Sequence, residues 1–133
     1  MPTVSRITIV SIRRPAERTI NQELQWLGSS LGLFGERDRN RSCFRVFIEL
    51  LKSARLQKPL SSDELADMLG LTRGTVVHHL HHLTGAGIVI REQNKYLLRV
   101  DTLSELVDEV EKDVLRTLHG LRDVANQIDT KLR

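Results

Sequence analysis

Three observations predict a mainly α-helical chain with one small β-hairpin. Apolar residues recur at spacings of three and four through most of the 133 residues. Two short β-rich runs, 88–91 and 96–100, flank a polar stretch at 92–95 that includes Gln93 and Asn94. Aromatic residues make up only 4% of the chain, so its core must be built from Leu, Ile and Val, as in helical proteins. In chain order the central elements read helix, sharp glycine turn, helix, hairpin. That order is a winged helix-turn-helix, here with a strand before it and a long helix for dimerisation after it. The expected organisation is an arm over 1–18, the winged domain over 19–100 and a coiled-coil helix over 101–133.

The first element is the run VSRITIVSI at 4–12, rich in β-branched residues with partial alternation, which predicts a strand closed by Pro15. A lone strand is unstable. Its partner is either the wing of the same chain or a strand of a second subunit. Next comes a helix over 19–31 with Ile20, Leu24, Leu27 and Leu31 on one side, weakened at its end by Gly28, Gly32 and Gly35. The connector GERDRNRS follows, and Arg37, Arg39 and Arg41, with Arg45 beyond it, either meet phosphates or are simply solvated. A helix over 43–56 places Phe44, Phe47, Ile48 and Leu51 on one face, and Pro59 marks the next loop.

A short helix over 61–69 has a clear start. Ser61 or Ser62 caps it, and Asp63 and Glu64 sit in its first turn, where the helix dipole favours negative charge. Its buried side is expected to hold Leu65, Met68 and Leu69. Gly70 makes the turn, since a left-handed backbone angle costs little only at glycine. Thr72 then caps a helix over 73–84, with Val76, Leu80 and Leu83 facing the core and Gly74, Val77, His78, His81 and His82 facing out. Such an outer face is what a recognition helix presents to the major groove. The last helix, capped by Asp101 or Thr102, runs to about residue 132. Val107, Val114, Leu121 and Ile128 recur every seven residues, with Leu103, Val110 and Val124 as companions. A helix of that length spans roughly 45 Å. Either it pairs with a second copy along this seam or it packs back on its own domain.

The segment LTRGTVVHHLHHLTGAGIV, 71–89, resembles the recognition helix of ArsR-type winged-helix regulators, through Thr75-Val76, His79-Leu80, Leu83 and Ala86-Gly87-Ile88-Val89. The resemblance covers roughly residues 40–100. It implies a homodimeric transcriptional regulator on a pseudo-palindromic operator. Metal-sensing members carry paired cysteines in the first helix of the motif. Here that helix reads ELADMLG, so thiolate metal sensing is not expected, and no effector is identified.

Helix geometry selects the expected DNA contacts. Arg73 at the helix start reaches base edges or phosphate, and Thr72 and Thr75 bond phosphates. Val77 meets a thymine methyl, and His78 and His81 meet bases. Arg91, Asn94 and Lys95 on the wing meet the adjacent minor groove or backbone. His78 and His82 have a spacing that can chelate zinc, but no cysteine or carboxylate stands beside them in sequence, so no metal site is assigned. With an ordinary pKa of about 6.5 the cluster gains charge below neutrality, which would strengthen DNA binding as pH falls. His79 lies at the core edge as a structural histidine, and the single cysteine, Cys43, as a small buried residue.

Charge is uneven. Residues 1–60 carry 11 Lys/Arg against 5 Asp/Glu, 61–100 carry 4 against 4, and 101–133 carry 5 against 8. A basic first part suits a polyanion. The neutral motif leaves a second reading open, a protein-protein interaction module within a transcription or replication assembly. No glycine-rich phosphate loop, carboxylate pair or nucleophile-base pattern points to an enzyme, and none of the residues implies a cofactor. One cysteine excludes an internal disulfide, no apolar run approaches a membrane span, and the first residues do not read as a signal peptide. The expectation is a cytoplasmic protein without membrane contact, whose partners are double-stranded DNA and a second copy of itself.

Overall fold

The computed structural model describes residues 6–35, 38 and 41–133. It contains helices α1 (Ile20–Ser30), α2 (Ser42–Arg55), α3 (Ser62–Leu69), α4 (Arg73–Gly85) and α5 (Leu103–Lys131). Strands β1 (Leu60–Ser61), β2 (Val89–Glu92) and β3 (Lys95–Leu98) form one antiparallel sheet in the order β1-β3-β2. The hairpin is the expected wing, with Val89 opposite Leu98 and Glu92 opposite Lys95. Gln93 in its two-residue turn has φ +58°. On the far side of β3, Leu60 pairs with Tyr96, a strand too short to be read from sequence.

Local chemistry sets the helix ends. Thr19, Ser61, Thr72 and Thr102 each accept a bond from a backbone N–H in the first turn. At Ser61 the Glu64 carboxylate returns a bond to the Ser61 N–H, which completes a capping box and holds the Glu64 pKa below the usual carboxylate range. Gly70 ends α3 at φ +65°, as its position requires.

The core joins Val46, Phe47 and Leu50 of α2 to Leu65, Val76, Leu80, Leu83, Ile88, Val89, Leu98 and Leu106. The covered side of α2 runs through Cys43, Val46, Phe47, Leu50 and Ala54, and Ile48 and Leu51 lie at its margin. Phe34 seals one end, edge-on to Phe44 at 5.2 Å and Phe47 at 5.8 Å. Burial pushes the Cys43 thiol up to about 12, and its Sγ–H donates to the Leu33 carbonyl at 3.3 Å. Two apolar residues face out against expectation. Met68 is 55% exposed, because the covered side of the two-turn α3 is narrow and passes through Leu65, Ala66 and Leu69. Ile20 is 78% exposed at the outer end of α1.

The strand expected over 4–12 is not formed across its described part, residues 6–12. Val4 and Ser5 lie outside the described residues, as do Arg37 and Arg39 of the connector. The arm is held by α1 instead of by a strand. The Val10 N–H donates to the Ser30 carbonyl at 2.7 Å, and Trp26 Nε1 donates to the Ile12 carbonyl at 3.0 Å. One helix-end carbonyl and one side chain thus take the place of a ladder.

Only the first part of α5 is seated. Leu106, Val110 and Asp113 are buried, and Leu103 and Val114 pack against the core. Arg99, just beyond β3, bonds both oxygens of Asp113 and reaches Glu109 at 3.2 Å. The Arg99 bond holds the Asp113 carboxyl below its ordinary value despite burial, and raises the guanidinium in return. Beyond this anchor α5 projects with Leu118, Leu121, Val124, Ile128 and Leu132 between 45 and 80% exposed. Leu103 and Val110, expected in a seam between subunits, therefore belong to this chain's own core. Past the half-buried Val114, the stripe left open reads Leu118, Leu121, Ala125, Ile128, Leu132, at alternating spacings of three and four.

Candidate nucleic-acid interface

Helix α4 is placed by its inner face. Val76, Leu80 and Leu83 have no exposed surface, which turns Arg73, Gly74, His78, His81 and His82 to solvent. His79 lies between the two faces. Its Nε2 is 2.6 Å from Ser42 Oγ, so it ties the start of α2 to the middle of α4. Desolvation lowers its pKa, against the opposing pull of Asp38, and the bond to Ser42 makes it a structural group. His82 makes a second tie, through Nε2 to the Gly32 carbonyl at 3.2 Å, which requires a proton on that nitrogen.

At the N-terminus of α4 the Thr72 Oγ1 accepts the Thr75 N–H at 3.2 Å and donates to Thr75 Oγ1 at 2.8 Å. The two hydroxyls are partly engaged with each other, and Thr75 and Val77 are half-buried. Thr72, Arg73, His78 and His81 are exposed, as are Arg91, Asn94 and Lys95 on the wing. The structure thus brings Thr72, Arg73, His78 and His81 onto one open helix face, and sets Val77 and Thr75 back from it.

Two carboxylates that read in the sequence as dipole partners have a further contact. Asp63 faces Arg73 Nε at 3.4 Å, and Glu64 faces Lys95 Nζ at 3.7 Å. All four side chains are at least 40% exposed, so these pairs are weak and open readily to a stronger anion. Arg91 folds over the wing, donating from Nε to the Gln93 carbonyl at 2.8 Å with its guanidinium 5.8 Å from the Tyr96 ring. Arg45 is removed from the phosphate reading, since it donates to the Leu69 carbonyl and locks α2 to the end of α3. Among the described residues no group of three or more His, Cys, Asp or Glu is placed to hold a metal ion, and no helix is long and apolar enough to cross a membrane.

A buried-faced helix after a glycine turn, an open polar face on it and a wing hairpin together define the winged helix-turn-helix, the fold of many DNA-binding regulators. The model of the Crp-like helix-turn-helix domain matches residues 38–108, from within the connector into the first turns of α5, and the chain belongs to that family. The match is to the Crp-like domain and not to the ArsR type. No curated protein and no solved structure matches the chain.

Proposed function

We propose that the chain is a sequence-specific regulator of transcription that binds double-stranded DNA as a homodimer. The observation that carries the reading is the outer face of α4, where Arg73, His78 and His81 stand exposed over a fully buried Val76, Leu80 and Leu83. Thr72 and Arg73 enter the major groove first, with His78 and His81 one and two turns behind. Thr75 and Val77 contribute at its rim, and Arg91, Asn94 and Lys95 reach the flanking backbone. Arg73 and Lys95 exchange Asp63 and Glu64 for phosphate on binding. The likeness of 71–89 to an ArsR recognition helix supports the narrower placement.

The open stripe on α5 supports the dimer, in which Val107, Val114, Leu121 and Ile128 face a second copy, with Val124 beside them. The arm at 1–18, the winged domain at 19–100 and the helix at 101–133 are the units of this reading, with the base of the last helix seated on the domain. Regulation by occupancy needs no reaction and no bound cofactor, and a cytoplasmic location fits it.

The test is fluorescence anisotropy with duplex DNA from the region upstream of the protein's own coding sequence, against a scrambled duplex, over a salt series. Preference for the upstream duplex that is lost in Arg73→Ala is the expected result. No binding to either duplex at low salt would refute DNA recognition and favour the interaction module.

A further inference from the structure

The helix-turn-helix and wing hold too little free positive charge to grip DNA alone. Residues 61–100 are neutral overall, and each cation at the interface has to give up a contact before it meets phosphate: Arg73 its pair with Asp63, Lys95 its pair with Glu64, Arg91 its own wing turn. Arg99 is taken by Asp113 and Glu109. Yet phosphate neutralisation supplies most of the nonspecific affinity of DNA-binding proteins. The charge must come from elsewhere on the same side of the molecule.

The arm has it. Arg6, Arg13, Arg14 and Arg18 are all exposed, against a single carboxylate, Glu17. None of the four pairs with a carboxylate among the described residues. The arm is also tied to the recognition helix. Val10 and Ile12 fasten it to α1, α1 leads to Gly32, and Gly32 accepts from His82 on the outer face of α4. Arg13 and His82 line one surface groove. The Arg14 guanidinium lies over the Trp26 ring at 5.5 Å, on a side chain that stays exposed. Gly32 has φ +72°, and a Cβ there would fall 2.6 Å from the Thr8 side chain, so the arm is seated closely on this corner.

We propose that this arm is a second DNA-binding element, a clamp for the phosphate backbone beside the groove that α4 occupies, with Arg13, Arg14 and Arg18 as its contacts. The inference rests on the DNA-binding reading above but not on sequence preference. The arm supplies affinity for any duplex, and α4 supplies the choice among them.

The test is the salt dependence of binding to the scrambled duplex by the full chain and by Arg13→Gln/Arg14→Gln/Arg18→Gln. Each lost phosphate contact lowers the slope of log affinity against log salt by about 0.9, so the triple variant is expected to lose about 2 to 3. Arg13→Gln alone should lose about one, and covers the case in which the triple variant folds poorly. Circular dichroism and sedimentation should match the wild type. A wild-type slope in the folded variants overturns the clamp and leaves DNA recognition standing. A changed oligomeric mass would make the arm a subunit contact and also overturns it. If the wild-type chain itself binds no duplex, the DNA-binding reading has failed, and the arm with it.

Discussion

Replacing Leu121 and Ile128 together by Ala should separate the subunits without unfolding either. Leu121 is 61% exposed and Ile128 50% exposed in the single chain, so neither contributes much to its fold. Alanine is the better helix former at both positions, and the helix itself should persist. Five large side chains from Leu118 to Leu132 keep 45 to 80% of their surface open. Full burial of such a side chain is worth about 1.5–3 kcal/mol, so covering the remaining half gives about 1 kcal/mol each. Two helices then gain about 10 kcal/mol in all, against an association cost of about 4–15 kcal/mol. The dimer is therefore poised, and losing four side chains removes about 4 kcal/mol, which is about a thousandfold in Kd. Sedimentation equilibrium over a concentration series reads this directly. Wild-type chain that stays monomeric at high concentration, or a double variant that dimerises as tightly as wild type, would refute the reasoning.

Other perturbations probe the domain itself. Leu80→Ala opens a cavity at a position with no exposed surface, and should cost about 2–5 kcal/mol in urea unfolding. Gly70→Ala meets no atom within 4 Å but must adopt φ +65°, so its cost should be strain alone, about 1 kcal/mol in the same assay. His79 has a folded pKa below its ordinary 6.5, so the unfolded chain binds its proton more readily. Stability from this group is present above that value and is lost as pH falls toward the lowered one. The urea midpoint of wild type should decline on acidification through this window, and His79→Gln should flatten the decline. Asp113 is shifted the same way by Arg99, so its contribution is lost only below the ordinary carboxylate range. Asp113→Asn should remove the part of the acid transition that lies there.

The elements that short-range chemistry specifies are legible in the sequence. Ser61, Gly70, Thr72 and Thr102 mark helix ends by what their own side chains or backbone can do, and the structure uses each of them so. The buried triad Val76, Leu80 and Leu83 follows from helical spacing, and with it the open face of α4. What escapes is whatever depends on a distant partner. Leu60 and Ser61 are a strand only because Tyr96 and Lys95 lie beside them. The β-branched run at 6–12 has the propensity of a strand, but the end of α1 holds its backbone instead. Asp63 and Glu64 announce a helix start, and nothing local shows that they also face Arg73 and Lys95. On α5 the heptad spacing marks apolar positions without saying which of two adjacent stripes the domain itself covers. Arg45 looks like one more connector cation until Leu69 lies across from it.

The anchoring of α5 bears on how a dimer would read DNA. Arg99 leaves the last wing strand and grips Asp113 and Glu109, so the wing and the base of α5 are one unit. Leu106 and Val110 lock the same turns into the core that seats α4. The direction in which the free part of α5 departs is thus fixed relative to the recognition helix by buried contacts rather than by a flexible linker. In a pair joined along the open stripe, the separation of the two recognition helices follows from that direction and from the register of the seam. Half-site spacing in such a protein is a property of side chains such as Leu121 and Ile128, which never approach DNA. The ion pair at the base of α5 fits the same reading: buried Asp113 has Arg116 of its own helix at 3.5 Å wherever α5 lies, but it meets Arg99 only where α5 is seated beside the end of β3.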